Sequence, residues 1–194
     1  FPEQAANWAY IRERSPEGSR VLNLFAYTGG ATVAAAKAGA AVTHVDASKG
    51  MTEWAKENMK LSKLENNTIR FIQDDVIKFL EKEKRRGRTY HGIIMDPPSY
   101  GRGPGGEVWK LENEVYDFVE LCSQLLYEDS LMVLINSYTT GLSPSVMEYI
   151  LGETVQKKFG GTTSSDEIGI PVSSKHGRVL PCGASAIWLG KNVK

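Results

Sequence analysis

Only two cysteines, Cys122 and Cys182, occur in the 194 residues, and their spacing matches neither a zinc motif nor a disulfide framework. A chain of this length can bury a substantial core without such staples. A reducing compartment, the cytoplasm, is the expectation. Net charge is also missing: Lys plus Arg and Asp plus Glu each total 23. That balance excludes the global positive field of a dedicated nucleic-acid module and leaves any such contact to a local patch. No apolar run approaches the roughly 20 residues of a membrane-spanning helix, and no basic-then-apolar leader opens the chain. No repeat, linker or low-complexity tract divides it, so one domain over residues 1–194 is expected. The first residue is Phe1 and not Met, which reads as a piece of a longer chain whose upstream domain is missing.

What is present is a steady alternation of strand and helix patterns. A leading segment, residues 1–18, carries Ala5, Trp8, Ala9 and Ile11 at near-helical spacing and stops at Ser15, Pro16 and Gly18. VLNLF at 21–25 is a buried strand meeting a turn, and a helix of small residues follows to Ala38, closed by Gly39. AVTHVDA is a second strand. Ser48 then sits where an N-cap belongs, and Met51, Trp54, Ala55 and Met59 are expected to form the buried face of the helix behind it. TIRFIQ, YHGIIM and LMVLIN continue the strands, with helices from about Val76, Asn113 and Ser143 between and after them. Crossovers of helical length force parallel pairing, so the fold class is α/β with a Rossmann-like, doubly wound sheet. DEIGIPVSS and VLPCGASAIWL are too close for a helical crossover and must pair antiparallel, making seven strands with a C-terminal antiparallel hairpin.

In such sheets ligands lie beyond the carboxyl ends of the strands, where strand order reverses. After the first strand, Ala26, Tyr27, Thr28, Gly29 and Gly30 form a turn whose glycines permit close backbone approach, with helix amides pointing at whatever lies there. A full GxGxxG is absent, so the carboxylate of an amino-acid moiety suits this turn better than a pyrophosphate; the same glycines also suit a tight turn alone. Asp46 falls seventeen residues beyond Gly29, near the spacing at which a carboxylate grips ribose hydroxyls, and it is equally placed to cap the helix near Ser48. Of Asp74 and Asp75, one can accept from an adenine amine while the other caps the next helix. DPPSYGRG, from Asp96 to Gly103, is the most specific string: Asp96 supplies an acceptor, Pro97 and Pro98 stiffen the turn and aim carbonyls, and Tyr100 offers a face for stacking. A purely structural Pro-Pro stop is the plain alternative.

VLNLFAYTGG, HVDASKGMTEWAKEN, FIQDDV and DPPSYGRG, in that order and spacing from about Phe1 to Trp188, resemble the successive motifs of class I Rossmann-fold methyltransferases, those similar to the ribosomal RNA large-subunit methyltransferases. That resemblance implies S-adenosyl-L-methionine as cofactor and ribosomal RNA as partner. It implies further that Asn23, Phe25 and Ala26 to Gly30 line the methionine part, that Asp46 with Ala47 and Ser48 holds the ribose, and that Asp75 with Val76 binds the adenine. Asp96, Pro97, Pro98, Ser99 and Tyr100 would then face the acceptor, and Gln4 in FPEQAANW would reach the cofactor. Relatives that methylate carbon 5 of cytosine need a cysteine nucleophile after the fourth or fifth strand, where this chain reads DPPSYG and INSYTT, so the resemblance implies direct transfer to a nitrogen or oxygen acceptor.

Neither Cys122, on an apolar helix stripe, nor Cys182, in the last hairpin, reads as a nucleophile, and none of His44, His91 and His176 is placed as a general base. The KEKRRGR run at 82–88 reads as a solvated helix end that also suits RNA phosphate, as do Arg102 and Lys110. Methyl transfer to a small molecule or protein, a nucleotide-binding oxidoreductase, and a silent binding module remain alternatives on sequence alone.

Overall fold

The computed structural model describes residues 1–102, 106, 108–173 and 177–193, and of Arg102 only the backbone. Expectations placed on the Arg102 side chain, on Gly103 and on His176 fall outside these residues. Strands β1 (Arg20–Leu24), β2 (Ala41–Asp46), β3 (Ile69–Gln73), β4 (Gly92–Met95), β7 (Met132–Ser137), β8 (Thr162–Pro171) and β9 (Val179–Leu189) form a seven-stranded sheet in the order β3-β2-β1-β4-β7-β9-β8. The first five pair parallel, while β9 runs antiparallel to both β7 and β8. The chain leaves β1 toward β2 and β3, then returns across β1 to β4. Strand order therefore reverses between β1 and β4, and a cleft opens at their carboxyl ends.

Alternation along the strands feeds two cores. Leu22, Leu24, Ile93 and Met95 face α4 (Val76–Arg85), α5 (Leu111–Ser123) and α6 (Pro144–Leu151), together with Phe79, Phe118 and the fully buried Trp188. Val21, Val42, Ile94 and Leu134 face the other way, onto α1 (Ala5–Glu13), α2 (Gly30–Lys37) and α3 (Lys49–Leu61). The short side chains of Ala34, Ala35 and Ala36 let α2 lie close to the sheet. Ser48 caps α3 through its Oγ, which accepts from the Met51 amide. The buried face of that helix is Thr52, Ala55 and Met59, whereas Trp54 is 52% exposed. Trp54 sits one residue, about 100° of rotation, off the Ala55 direction, so apolarity alone misplaced it in the core.

Two further findings concern the stretch after β4 and the basic run 82–88. The stretch after β4 contains a small antiparallel pair, β5 (Tyr100–Arg102) with β6 (Val108–Lys110). The basic run 82–88 is a solvated helix end at residues 84–88, as expected, but it also holds a buried acid. Glu83 is fully buried, accepts from the Tyr90 hydroxyl at 2.7 Å and from Arg86 at 3.0 Å, and has Arg70 and Arg88 within 3.7 and 3.6 Å. Lys82 pairs with Asp74. Replacing Glu83 with alanine leaves the buried Tyr90 hydroxyl without its acceptor and removes the shared partner of three half-exposed guanidinium groups, so a loss of about 2–3 kcal/mol in urea unfolding at neutral pH is expected. A change below about 0.5 kcal/mol would show the cluster to be dispensable.

Candidate active site

The turn after β1 is held in a costly shape. Phe25 and Tyr27 both adopt left-handed backbone, φ 53° and 49°, and Gly29 follows at 85°. For bulky residues that conformation is unfavourable by roughly 1–2 kcal/mol each, so surrounding contacts must hold it. They do: the Ala26 amide donates to the Val45 carbonyl at 3.1 Å and the Tyr27 amide to Asp46 Oδ2 at 2.8 Å. The Phe25 ring lies against Trp109 and Phe118, with centroids 5.9 and 5.7 Å apart, while Tyr27 meets Phe1 edge-on. The two glycines have structural reasons beyond ligand approach. Gly29 takes the positive φ beside Ala55, and a Cβ at Gly30 would lie 2.7 Å from Cζ2 of Trp8.

A cleft of about 400 Å³ is lined by Asn23, the run from Phe25 to Gly30, Asp96, and, from outside the motifs, Phe1, Gln4, Trp8 and Asn136. Asp46 stands beside the turn and does not line the cleft. Its Oδ2 holds the Tyr27 amide and its Oδ1 the Ser48 amide, both at 2.8 Å, with Ala47 and Ser48 exposed next to it. Asp75 caps α4, accepting from the Lys78 amide at 2.9 Å, and faces a neighbouring groove of about 630 Å³ that Trp109 also lines. Val76 is buried beneath it. Asp74 receives the Asp75 amide and Lys82, so both its oxygens are engaged.

The motif after β4 divides. Asp96 enters the cleft and Pro97 is buried, whereas Pro98, Ser99 and Tyr100 are exposed beyond its lining. The Pro98 carbonyl accepts from the Trp109 indole at 2.7 Å and the Ser99 carbonyl from the Leu111 amide at 3.1 Å, tying this turn to β6 and α5. The Ser99 hydroxyl accepts from that of Thr139 at 2.7 Å.

Sequence reading raised Gln4 alone of a buried polar network that closes the far wall. Gln4 Nε2 donates to the Tyr138 hydroxyl at 2.7 Å, and that hydroxyl donates to Glu3 at 3.0 Å. Gln4 Oε1 accepts from Asn7 at 2.9 Å and from Asn136 at 3.2 Å, and Ser185 completes the set. The available signal was three polar residues, Glu3, Gln4 and Asn7, on the inward side of a leading helix, and an Asn ending the apolar strand LMVLIN.

Among the described residues, charge in the cleft has one sign: no lysine, arginine or histidine side chain lines it, and no hydrogen-bond donor reaches the Asp96 carboxylate. Burial, with the Glu3 carboxylate as a lesser contribution, raises the Asp96 pKa to about 6. Tyr138 is also raised, by burial first. At the opposite end the α2 N-terminus has Gly29 as N-cap and no side chain capping it, leaving its first amides to a ligand. Uncapped amides at the edge of the cleft fit a ligand that carries a carboxylate, and S-adenosylmethionine is such a molecule.

Residues 5–156 match the family described as S-adenosylmethionine-dependent methyltransferase. The chain belongs to that family. Among curated proteins, this methyltransferase chain is 34% identical over 131 residues to the ribosomal RNA large subunit methyltransferase K/L of Syntrophotalea carbinolica, covering 66% of the chain and 18% of that protein. It is 26% identical over 167 residues to the ribosomal RNA large subunit methyltransferase K of Neisseria meningitidis serogroup B, covering 85% of the chain and 45% of that protein. The crystal structure of a SAM-dependent methyltransferase from Agrobacterium tumefaciens superposes with a TM-score of 0.91 at 39% identity, over 98% of this chain and 63% of that one. The methyltransferase chain thus spans less than two thirds of each of these relatives.

The other reactive side chains lie away from the cleft. Cys122 is 1% exposed and its thiol pKa is pushed up by burial. Cys182 lies on β9, its sulfur 3.4 Å from the Leu180 carbonyl. His44 is fully buried, which lowers its pKa to about 4, and its Nδ1 lies 3.0 Å from the Thr32 hydroxyl that also receives the Asn23 amide. Nδ1 of His91 accepts from the Arg20 backbone.

Proposed function

We propose that this methyltransferase acts on a base of RNA, the ribosomal RNA named in its relatives, by direct transfer without a cysteine nucleophile. The observation that carries the reading is the Asp96 carboxylate, half-buried at the end of β4, inside the cleft and without a partner among the described residues. Bound there, S-adenosylmethionine supplies a methyl group on a positively charged sulfur that is already electrophilic. The protein's part is positioning and charge complementarity.

The turn from Phe25 to Gly30, with Asn23 beneath it, holds the methionine portion. Asp46 keeps the Tyr27 amide in place and presents its remaining lone pairs to the ribose, with Ala47 and Ser48 alongside. Asp75 has one oxygen beyond its capping bond and, with the Val76 amide, reads the adenine edge. Asp96 accepts from the amine of the target base, and the stiff Pro97 and Pro98 keep it at the strand end. Ser99 and exposed Tyr100 contact the acceptor as it enters. No cysteine lines the cleft among the described residues, which supports transfer without a covalent enzyme intermediate.

Incubating the protein with methyl-labelled cofactor and separate pools of RNA, protein and metabolites tests this reading. Label is expected in the RNA pool, sensitive to ribonuclease and resistant to protease. Label confined to protein or metabolites would replace RNA with another acceptor.

A further inference from the structure

We infer that the indole N–H of Trp8 is a donor to the carboxylate of the cofactor, working beside the α2 amides in place of a basic residue. The inference rests on the assignment of this cleft to S-adenosylmethionine. That ligand brings an anionic carboxylate into a cleft that, among the described residues, no lysine, arginine or histidine side chain lines, so neutral N–H groups are the donors there to meet it. The side-chain amides of Asn23, Gln4, Asn58 and Asn136 already donate to Thr32, Tyr138, the Thr28 carbonyl and Gln4, respectively.

Trp8 differs from these. Two other indoles are satisfied inside the protein, Trp109 on Pro98 and Trp188 on Gly160, and Trp54 is exposed to water. Half-buried Trp8 lines the cleft and its indole N–H has no acceptor among the described residues, so it is left for a ligand. Its position is fixed by the glycine that begins α2. A Cβ on Gly30 would lie 2.7 Å from Cζ2, 2.9 Å from Cε2 and 3.2 Å from Nε1, so the edge of the indole that runs from its six-membered ring to its nitrogen rests against the first residue of that helix. There the amides of Gly30 and Ala31 precede the first intrahelical bond, that from Val33 to Gly29. An indole N–H beside uncapped helix amides makes a neutral anion cradle, and Gly30 is the residue that lets the ring approach.

The test compares two probes, S-adenosylhomocysteine and 5′-deoxy-5′-methylthioadenosine, which share the adenosyl thioether but differ in the carboxylate-bearing amino-acid end. Calorimetric titration of wild type and Trp8→Phe with each is expected to show S-adenosylhomocysteine affinity falling roughly ten-fold or more in the variant. Methylthioadenosine affinity is expected to stay within about two-fold, which also shows that the variant is folded. Equal losses for both probes would make Trp8 a packing residue only, and unchanged binding of both would remove it from the site; either result overturns the inference. Failure of wild type to bind S-adenosylhomocysteine would instead overturn the cofactor assignment beneath it.

Discussion

Asp96→Asn is expected to lower methyl transfer at least about 100-fold while S-adenosylhomocysteine affinity stays within about three-fold. The substitution keeps the size of the side chain and removes its charge, so it isolates what the carboxylate does for the acceptor. The same assignment fixes the pH dependence. With a pKa raised to about 6, the carboxyl is neutral below that value and can serve as an ionised acceptor only above it. In wild type, transfer measured with labelled cofactor should rise as pH passes upward through about 6, and this acid limb should be missing from the residual activity of the variant. The shift also has a stability consequence. A carboxyl raised in the folded state favours folding most at low pH, and that contribution fades as pH climbs toward about 6. An activity loss accompanied by equal loss of cofactor affinity would move Asp96 from the acceptor to the cofactor.

Asp46→Ala is the second large effect, expected on cofactor affinity at about 50-fold, with Asp46→Asn intermediate. Two contributions combine here. The carboxylate loses whatever it gives the ribose, and the Tyr27 and Ser48 amides lose their acceptor, so a turn holding two left-handed bulky residues relaxes. Calorimetry with S-adenosylhomocysteine measures the first, and a companion loss of about 1–2 kcal/mol in urea unfolding measures the second. Unchanged affinity would leave Asp46 a turn residue and nothing more.

The alternation of VLNLF, AVTHVDA, TIRFIQ and LMVLIN with helical segments was legible because period and length are local properties, and parallel pairing followed from the helical length of the crossovers. So was the N-cap at Ser48, a single side chain and its own helix. What escaped was non-local. The links of Asn7 to Asn136 and Ser185 span 129 and 178 positions, and no local pattern announces them. Glu83 is a charged residue within a basic run, yet it is fully buried, because Arg70 arrives from β3 and Tyr90 from the segment before β4. Backbone strain at Phe25 and Tyr27 is equally invisible, since neither residue type favours φ > 0. The glycines of the motif were seen, but the partner that requires Gly30 is an indole from another helix.

The central claim is that the cleft between the ends of β1 and β4 receives S-adenosylmethionine. A crystal structure of the protein soaked with S-adenosylhomocysteine tests it most directly. Density is predicted with its amino-acid end at the start of α2 and its adenosine directed toward Asp46 and Asp75. A cleft left empty at saturating concentration, or the ligand lodged only in the groove between α4 and α5, would contradict the account.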